Sequence, residues 1–344
     1  MRNLKYSEAI FESFYQLLEK DTDVVIIGQG LWSPWYVGAT MTDLEKKFGK
    51  DRILDTPVSE NATTGVAIGA AMAGKKPIVV HPRMDFMLLA MDPIINQASN
   101  WSYLFEGAVN VPVVIRSIIN RGGEQGAQHS QALQSFFMHV PGIKVVMPAT
   151  PADAKGLMIS AVNDGNPVMF IDDRWCYDRS GPVAEKMQPI PLGEGEIIRS
   201  GEDVTVVATS YLVNEAEICA QEMDREGISI ELINLRTIKP WDREIVIKSV
   251  MKTGRLIIAD TGWIQGGIAA EISSHISGNM FSKLKSPIIR VGLPNIPAPC
   301  SRTLEEVYYP KSNTIKKAVE IALSNSAIPR EEITTKLVPG AINF

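Results

Sequence analysis

Short apolar runs that alternate with amphipathic stretches constrain the fold of this chain more than any other feature. Strands buried on both faces carry consecutive apolar residues, as in VVIIG (24–28), KPIVV (76–80) and VPVVIR (111–116). Further runs lie at 143–148, 166–172, 203–209, 228–234, 255–260 and 286–292. Helical periodicity lies near 6–20, 63–74, 87–105, 129–139, 151–164, 212–226, 241–251, 266–280 and 313–325. Strands alternating with helices predict an α/β fold with doubly wound parallel sheets.

The length of the chain and one proline-rich stretch predict two domains. At 344 residues, the chain exceeds the size at which a single core usually stops growing. The stretch SGPVAEKMQPIPLGE (180–194) has three prolines and no apolar period, a pattern typical of linkers. We therefore expect one α/β domain at 1–182, a linker at 183–194 and a second α/β domain at 195–344.

Charge and composition argue against several classes of protein. The net charge is −5 and lysines and arginines form no run, which argues against a nucleic-acid surface. No apolar run reaches the about 18 residues of a membrane-spanning helix, and the amphipathic start does not have the pattern of a signal peptide. Three cysteines, Cys176, Cys219 and Cys300, form no C-x-x-C pair. They predict neither a disulfide framework nor a zinc site, and a reducing cytoplasm is the expected location.

A single carboxylate, Glu60, precedes a helix made almost entirely of small residues. The segment TPVSE (56–60) leads into GVAIGAAMAG (65–74), whose lack of bulk predicts that another backbone approaches it closely. In a two-fold assembly that neighbour can be a second copy of the helix. Partial burial there would suit Glu60 to sharing a proton with a ligand. The alternative is that Glu60 only charges the first turn of the helix.

Several polar side chains follow predicted strands, at the sheet edge where open α/β sheets bind ligands. Gln29 follows the first strand, His81 and Arg83 follow the strand at 76–80, and Arg121 comes after the strand at 111–116. The pattern therefore predicts a ligand site in the first domain.

A glycine-rich segment, RGGEQGAQHSQ (121–131), contains His129. Flexible glycines beside an imidazole suit a loop that bends over a substrate and handles protons near neutral pH. The alternative is a structural histidine at the start of a helix. The segment could also hold a phosphate with its amides, although no Lys-Ser/Thr pair follows it. On pattern alone, Phe86 is a core aromatic residue.

A set of motifs, in the same order along the chain, resembles the beta subunit of thiamine-diphosphate-dependent 2-oxo acid dehydrogenases. These are the decarboxylating components of the pyruvate and branched-chain complexes and of acetoin dehydrogenase. The motifs are TPVSE, GVAIGAAMAG, DFMLLAMDPIINQAS, QHSQ and PADAKGLMISAVNDGNPV, then INLRTIKPWD, SVMKTGRLIIAD, GGIAAEI and NIPAP. The resemblance covers roughly residues 4–325. It implies a pyrimidine-binding domain, a transketolase C-terminal-like domain, and decarboxylation followed by acyl transfer to lipoamide.

The resemblance also implies roles for single residues. Glu60 matches the glutamate that hydrogen-bonds the aminopyrimidine ring of thiamine diphosphate, where an acid must exchange a proton with a ring nitrogen. Phe86 matches the aromatic residue that stacks on that ring, which replaces its assignment to the core. His129 matches the histidine that handles protons on the substrate.

Two further sites follow from the resemblance. Ala161, Asp164 and Asn166 match a potassium site made largely of backbone oxygens. Gln29 stands beside the cofactor where the family usually has acids, so a proton relay through this position is not expected.

One family motif does not occur in this chain. The family binds the cofactor diphosphate through Mg²⁺ and a G-D-G…N-N motif, and no GDG occurs here. An alpha subunit is therefore expected to supply that half of the site, most simply in an α2β2 heterotetramer. The segment beyond 325 extends past the usual end, where this subunit commonly docks onto a lipoyl acyltransferase core.

Two arginines depart from the family pattern. Arg83 and Arg121 lie where the family is usually less charged, which predicts a substrate larger or more anionic than pyruvate. The alternative is that one or both point to solvent or pair with Asp85 or Glu124. Two other functions stay open: a split transketolase-like enzyme that acts on a sugar or another polar ketone, and a non-catalytic scaffold subunit.

Overall fold

The computed structural model describes residues 2–324, and the chain divides into two compact units. The first unit comprises the chain up to residue 121 and residues 136–192. The second comprises residues 122–135 and the chain from residue 193 onward. The boundary between residues 192 and 193 lies inside the predicted linker. Segment 122–135 belongs to the second unit, although the residues on either side of it belong to the first. The predicted docking tail beyond 325 lies outside the described residues.

The helices and strands follow each other in the alternating order that the sequence predicts. Up to residue 192 they are β1 (Arg2–Lys5), α1 (Tyr6–Lys20), β2 (Val24–Gly28), α2 (Leu44–Phe48), β3 (Ile53–Asp55), α3 (Glu60–Met72), β4 (Lys76–His81), α4 (Met84–Met87), α5 (Trp101–Leu104), β5 (Val114–Ile119), α6 (Gln134–His139), β6 (Lys144–Val146), α7 (Pro151–Asn163), β7 (Val168–Asp173) and β8 (Ser180–Val183). Beyond it they are β9 (Glu196–Arg199), β10 (Val204–Ala208), α8 (Tyr211–Asp224), β11 (Ile230–Asn234), β12 (Thr237–Lys239), α9 (Arg243–Thr253), β13 (Leu256–Trp263), α10 (Ile268–Met280), β14 (Ile289–Leu293), α11 (Arg302–Tyr308) and α12 (Ser312–Ser324).

The first unit is built on a parallel sheet in the order β6-β7-β5-β4-β2-β3. Its central strands are buried on both faces; every residue of β5 and β7 is buried. This burial explains their unbroken apolar runs and confirms the predicted α/β class. Strand β2 lies between β3 and β4, so the chain winds away from it in both directions.

The second unit is built on a five-stranded sheet in the order β14-β13-β10-β11-β9. Strands β10, β11, β13 and β14 are parallel, and β9 is antiparallel to β11. The antiparallel strand was not predicted, nor was the antiparallel pair β1–β8. All three strands, β1, β8 and β9, are short and at least partly exposed. They therefore lack the buried apolar run on which the prediction of strands depended.

The segment predicted as one helix at 87–105 is instead broken into short pieces. Helix α4 passes into a 3₁₀ turn at Leu88–Ala90, a π-helical turn at Pro93–Ala98, and then α5. Pro93 has no backbone N–H to donate, so the regular ladder cannot continue through it. Pro93 therefore explains why the segment does not form one regular α-helix.

Helix α3 buries one face and leaves its glycine face open. Thr64, Ala67 and Ile68 are buried, whereas Val66 is 61% exposed. A Cβ added at Gly65 or Gly69 would meet no atom of the chain within 4 Å. The predicted close neighbour of this helix is therefore not found among residues 2–324.

Two searches were limited to the described part of the chain. Within residues 2–324, no helix is both long and apolar enough to cross a membrane. In the same range, no three His, Cys, Asp or Glu side chains are grouped so that they could hold a metal ion.

Candidate functional site

A small cleft opens at the carboxyl ends of β2 and β4 in the first unit. The two strands are parallel neighbours, and β3 lies on the other side of β2. This is the point where the winding of the sheet reverses, the place where open α/β sheets bind ligands. The cleft is lined by Gln29, Thr56, Pro57, Ser59, Glu60, Thr63, Val80, His81 and Pro82.

Glu60 is the first residue of α3 and faces this cleft. Its side chain is buried, with 7% of the residue exposed. Ser59 precedes the helix but makes no capping hydrogen bond with its side chain. Within residues 2–324, the Glu60 carboxylate has neither a hydrogen bond nor an ion pair. It lies at the N-terminus of α3, and its side chain lines the cleft.

His81 ends β4 and contacts α3 one turn beyond Glu60. Its Nε2 lies 3.1 Å from Thr64 Oγ1, and both side chains are buried. Burial lowers the pKa of His81 from 6.5 to about 4, because desolvation disfavours the imidazolium. His81 is therefore neutral near pH 7 and adds no charge to the cleft.

Gln29 is held at the rim of the cleft by the turn after β2. Its Nε2 donates to the hydroxyl of Tyr36 at 2.9 Å. The Asp55 carboxylate, at the end of β3, accepts from the amides of Gly30 at 2.5 Å and Leu31 at 3.3 Å. A Cβ on Gly28 would lie 2.6 Å from the carbonyl oxygen of Val80. Only glycine therefore lets β2 and β4 approach this closely before the turn.

Phe86 and Arg83 lie on the short helix α4 and at its start. Phe86 is 36% exposed, so the pattern-only assignment to the core was wrong. Arg83 is half-buried and donates from Nη1 to the carbonyl oxygen of Pro82 at 2.9 Å. Burial lowers the pKa of Arg83, with a smaller effect from the neighbouring Arg174 guanidinium.

Arg121 has a carboxylate partner in its own unit. Its Nε donates to Asp173 Oδ2 at 2.6 Å, and neither side chain is exposed. Asp173 is not one of the two acids that the sequence suggests, and its burial shows that this arginine does not point to solvent. A buried ion pair of this kind needs both members to stay together.

His129 lies in segment 122–135, which belongs to the second unit. It is half-buried, and its amide donates to the carbonyl oxygen of Gly126 at 3.3 Å. The helix predicted at 129–139 begins only at Gln134. His129 is therefore part of a turn-rich loop and is not the first residue of a helix.

The residues predicted to bind potassium lie at the end of α7. Asp164 Oδ2 accepts from Lys144 Nζ at 2.5 Å, and Asp164 Oδ1 accepts from Asn166 Nδ2 at 3.1 Å. The amide of Asp164 donates to the carbonyl oxygen of Ala161 at 3.4 Å. Because Lys144 already compensates the carboxylate, a cation here would depend on main-chain oxygens.

Some residues that shape the cleft were missed by the sequence analysis. Thr64 positions His81, Tyr36 positions Gln29, and Asp55 orders the turn after β2. Asp55 ends a strand, a signal that could have identified it. Tyr36 lies in an irregular segment without a periodic pattern.

Comparison with known families assigns both halves of the chain. Residues 2–178 match the transketolase pyrimidine binding domain, and residues 193–315 match the transketolase C-terminal domain. A solved structure described as a split gene transketolase, inactive beta4 tetramer, has a TM-score of 0.78 and 22% identity. That likeness covers 93% of this chain and 98% of the other, and it shows the fold.

Whole-length relatives identify the family more closely. The beta subunit of acetoin:2,6-dichlorophenolindophenol oxidoreductase from Cupriavidus necator is 40% identical over 92% of this chain and 96% of its own length. The Bacillus subtilis protein of the same name is 36% identical over 91% of this chain and 95% of its own length. The beta subunit of the pyruvate dehydrogenase E1 component from Rickettsia felis is 36% identical over 91% of this chain and 96% of its own length. The chain therefore belongs to the transketolase-like family that contains the beta subunits of pyruvate dehydrogenase E1 components and of acetoin oxidoreductases.

Proposed function

We propose that this chain is the beta subunit of a thiamine-diphosphate-dependent dehydrogenase that acts on a 2-oxo acid or on acetoin. One observation carries the proposal: Glu60 is largely buried and lines a cleft of the pyrimidine-binding domain, and within residues 2–324 its carboxylate has no partner. A carboxylate that lines a cleft and has no partner in its own chain can accept a hydrogen bond from a ligand.

The residues of the cleft fit an aminopyrimidine ring. Val80 and Pro57 offer apolar walls, and Glu60 offers the acceptor that a ring nitrogen or its proton needs. Phe86 would stack on the ring with its exposed face, and Gln29 would lie at the rim. When bound, thiamine diphosphate supplies an electron sink for the charge left when the carbon–carbon bond breaks.

Glu60 would hold and move a proton at the pyrimidine nitrogen. The neutral His81 keeps α3 in place through Thr64 and adds no charge that would compete for this proton. We assign His129 to proton transfer with the substrate, and Arg83 to the anionic part of a substrate larger than pyruvate. For Arg121, the ion pair with Asp173 favours a structural role.

We further propose that an alpha subunit completes the site. The chain has no G-D-G motif for Mg²⁺ and diphosphate, so an alpha subunit would supply both. An α2β2 heterotetramer that passes acyl groups to a lipoyl acyltransferase is the arrangement we propose. Ala161 and Asn166 would support it with a structural potassium ion held by main-chain oxygens.

Co-expression with the alpha subunit tests this function. The purified complex would be assayed with pyruvate, a branched 2-oxo acid, 2-oxoglutarate and acetoin, with dichlorophenolindophenol or lipoamide as acceptor. We expect reduction of an acceptor with at least one of these substrates, and only when thiamine diphosphate and Mg²⁺ are present. The alpha subunit alone serves as the control.

Two other outcomes would contradict the proposal. Transfer of a two-carbon unit from a ketose to an aldose, without reduction of an acceptor, would identify a split transketolase-like enzyme. A complex that forms but turns over none of these substrates, ketoses included, would identify a scaffold subunit.

A further inference from the structure

The loop that carries His129 is held by the second unit at both of its ends. It begins with three consecutive residues in the left-handed region, Gly122, Gly123 and Glu124, with φ of 68°, 65° and 62°. Successive residues with such dihedrals turn their amides toward one side, which makes a concave site for an anion. The amide of Glu124 binds an anionic group of the same chain.

That group is the carboxylate of Glu305, on helix α11. The amide of Glu124 donates to Glu305, with distances of 3.2 Å to Oε1 and 3.4 Å to Oε2. Glu305 is buried, with 7% exposed, whereas the next residue, Glu306, is exposed. The amide therefore lies within hydrogen-bond distance of both carboxylate oxygens, which connects the loop backbone to α11. The glycine-rich loop therefore does not need a phosphate to explain its shape.

The other end of the loop is held at the carboxyl end of β13. Gln134 Nε2 donates to Asp260 Oδ1 at 2.9 Å and lies 3.4 Å from Thr261 Oγ1, and all three residues are buried. Strand β10 lies between β11 and β13, so this is the point where the second sheet reverses its winding. The crevice that binds ligands in many such sheets is here in contact with the chain's own loop.

We propose that Glu305 is a positioning residue that holds the loop in the conformation in which His129 acts. The inference rests on the proposed role of His129. Glu305 itself touches neither substrate nor cofactor in this account, since its carboxylate is bound to the loop backbone.

A matched set of variants tests the role of Glu305 in the complex with the alpha subunit. Glu305→Ala removes the acceptor, Glu305→Gln keeps an uncharged one, and Glu306→Ala is the control because it removes an exposed carboxylate from the same helix. Glutamyl endopeptidase, with fragments identified by mass, would report how fast the bond after Glu124 is cut. We expect Glu305→Ala to speed this cut and lower kcat about tenfold, Glu305→Gln to lie between, and Glu306→Ala to match the wild type.

A second pair of variants perturbs the loop from its own side. Gly126 and Gly123 both have positive φ, but a Cβ on Gly126 would lie 2.3 Å from Cys300 Sγ, whereas one on Gly123 meets no atom within 4 Å. The backbone strain of a positive φ is common to both variants, so we expect Gly126→Ala to lower kcat more than Gly123→Ala does. Cys300→Ala should remove this additional loss from Gly126→Ala and leave kcat of Gly123→Ala unchanged. A role limited to fold stability would lower the melting temperature and leave kcat per folded complex as in the wild type.

The outcomes separate this inference from the proposed function. It is overturned if the loop of Glu305→Ala stays as resistant as that of the wild type, or if it opens while kcat is unchanged. If the wild-type complex turns over no substrate, the proposed function fails. The protease comparison and a crystal structure of Glu305→Ala would still decide whether Glu305 holds the loop, and an unmoved loop would overturn the inference.

Discussion

Replacing Arg121 by methionine should destabilise the first unit rather than change substrate preference. The guanidinium Nε lies 2.6 Å from Asp173 Oδ2, and both side chains are fully buried. Methionine would leave the Asp173 carboxylate buried without its cation, a change that typically costs about 3–5 kcal/mol. For a unit of this size, that loss corresponds to a drop in melting temperature of roughly 6–20 °C.

A double variant and a second arginine serve as controls for this prediction. In Arg121→Met/Asp173→Asn the buried charge is gone, and the side-chain amide oxygen that replaces the carboxylate can still accept from the backbone amide of Trp175, as Asp173 Oδ1 does at 3.0 Å. Most of the lost stability should therefore return. Arg83→Met should melt close to the wild type but lower kcat/KM for an anionic substrate by about 10- to 150-fold, while sparing pyruvate.

Thermal unfolding and steady-state kinetics of the assembled enzyme would check both arginines. The reasoning is refuted if Arg121→Met melts within about 2 °C of the wild type and selectively weakens the anionic substrate. Arg121 would then be a substrate ligand, and its pair with Asp173 would be dispensable. Equal, small effects of Arg83→Met on pyruvate and 2-oxoglutarate would remove Arg83 from the substrate site.

Three further predictions concern His81, the open face of α3 and the cofactor. The pKa of His81 is 6.5 in the unfolded chain and about 4 in the folded one, so the stability that His81 contributes is lost as the pH falls from 6.5 to about 4. His81→Asn should remove this pH dependence, which amounts to on the order of 3 kcal/mol of unfolding free energy. An unchanged plot of unfolding free energy against pH would contradict this. Gly69→Leu should disrupt the heterotetramer, as measured by light scattering. Gly278→Leu is the control, because it changes a helical glycine that is equally open, and it should leave the heterotetramer intact. An intact tetramer of Gly69→Leu would show that α3 has no close neighbour. Calorimetry with thiamine diphosphate and Mg²⁺ should show binding to the complex and none to the lone chain, and stoichiometric binding to the lone chain would refute the need for an alpha subunit.

The predicted elements that the structure reproduces are those with a strong local pattern. The apolar run VVIIG becomes β2 with the predicted bounds, and the amphipathic run at 6–20 becomes α1. In both, most of the apolar residues that form the pattern are buried. The predicted linker at 183–194 contains the break between the two units, and its prolines are the local signal, since proline interrupts hydrogen-bonded ladders.

The contacts that the sequence could not predict join residues far apart along the chain. Asp173 is 52 residues from Arg121, and Asp260 is 126 residues from Gln134. No local pattern distinguishes these acids from exposed ones, so the nearby Asp85 and Glu124 were the only partners that spacing suggested. For the same reason, the sequence analysis placed segment 122–135 in the first domain, whereas the structure assigns it to the second unit.

The most direct test of the account is the turnover of Glu60→Gln in the complex with the alpha subunit. Glutamine keeps the size of the side chain and can still hydrogen-bond the pyrimidine ring, but it cannot exchange a proton with it. We expect thiamine diphosphate to bind in calorimetry with an affinity within about tenfold of the wild type, while kcat falls about 100-fold or more. A kcat within about threefold of the wild type would contradict the claim that Glu60 transfers the proton that activates the cofactor.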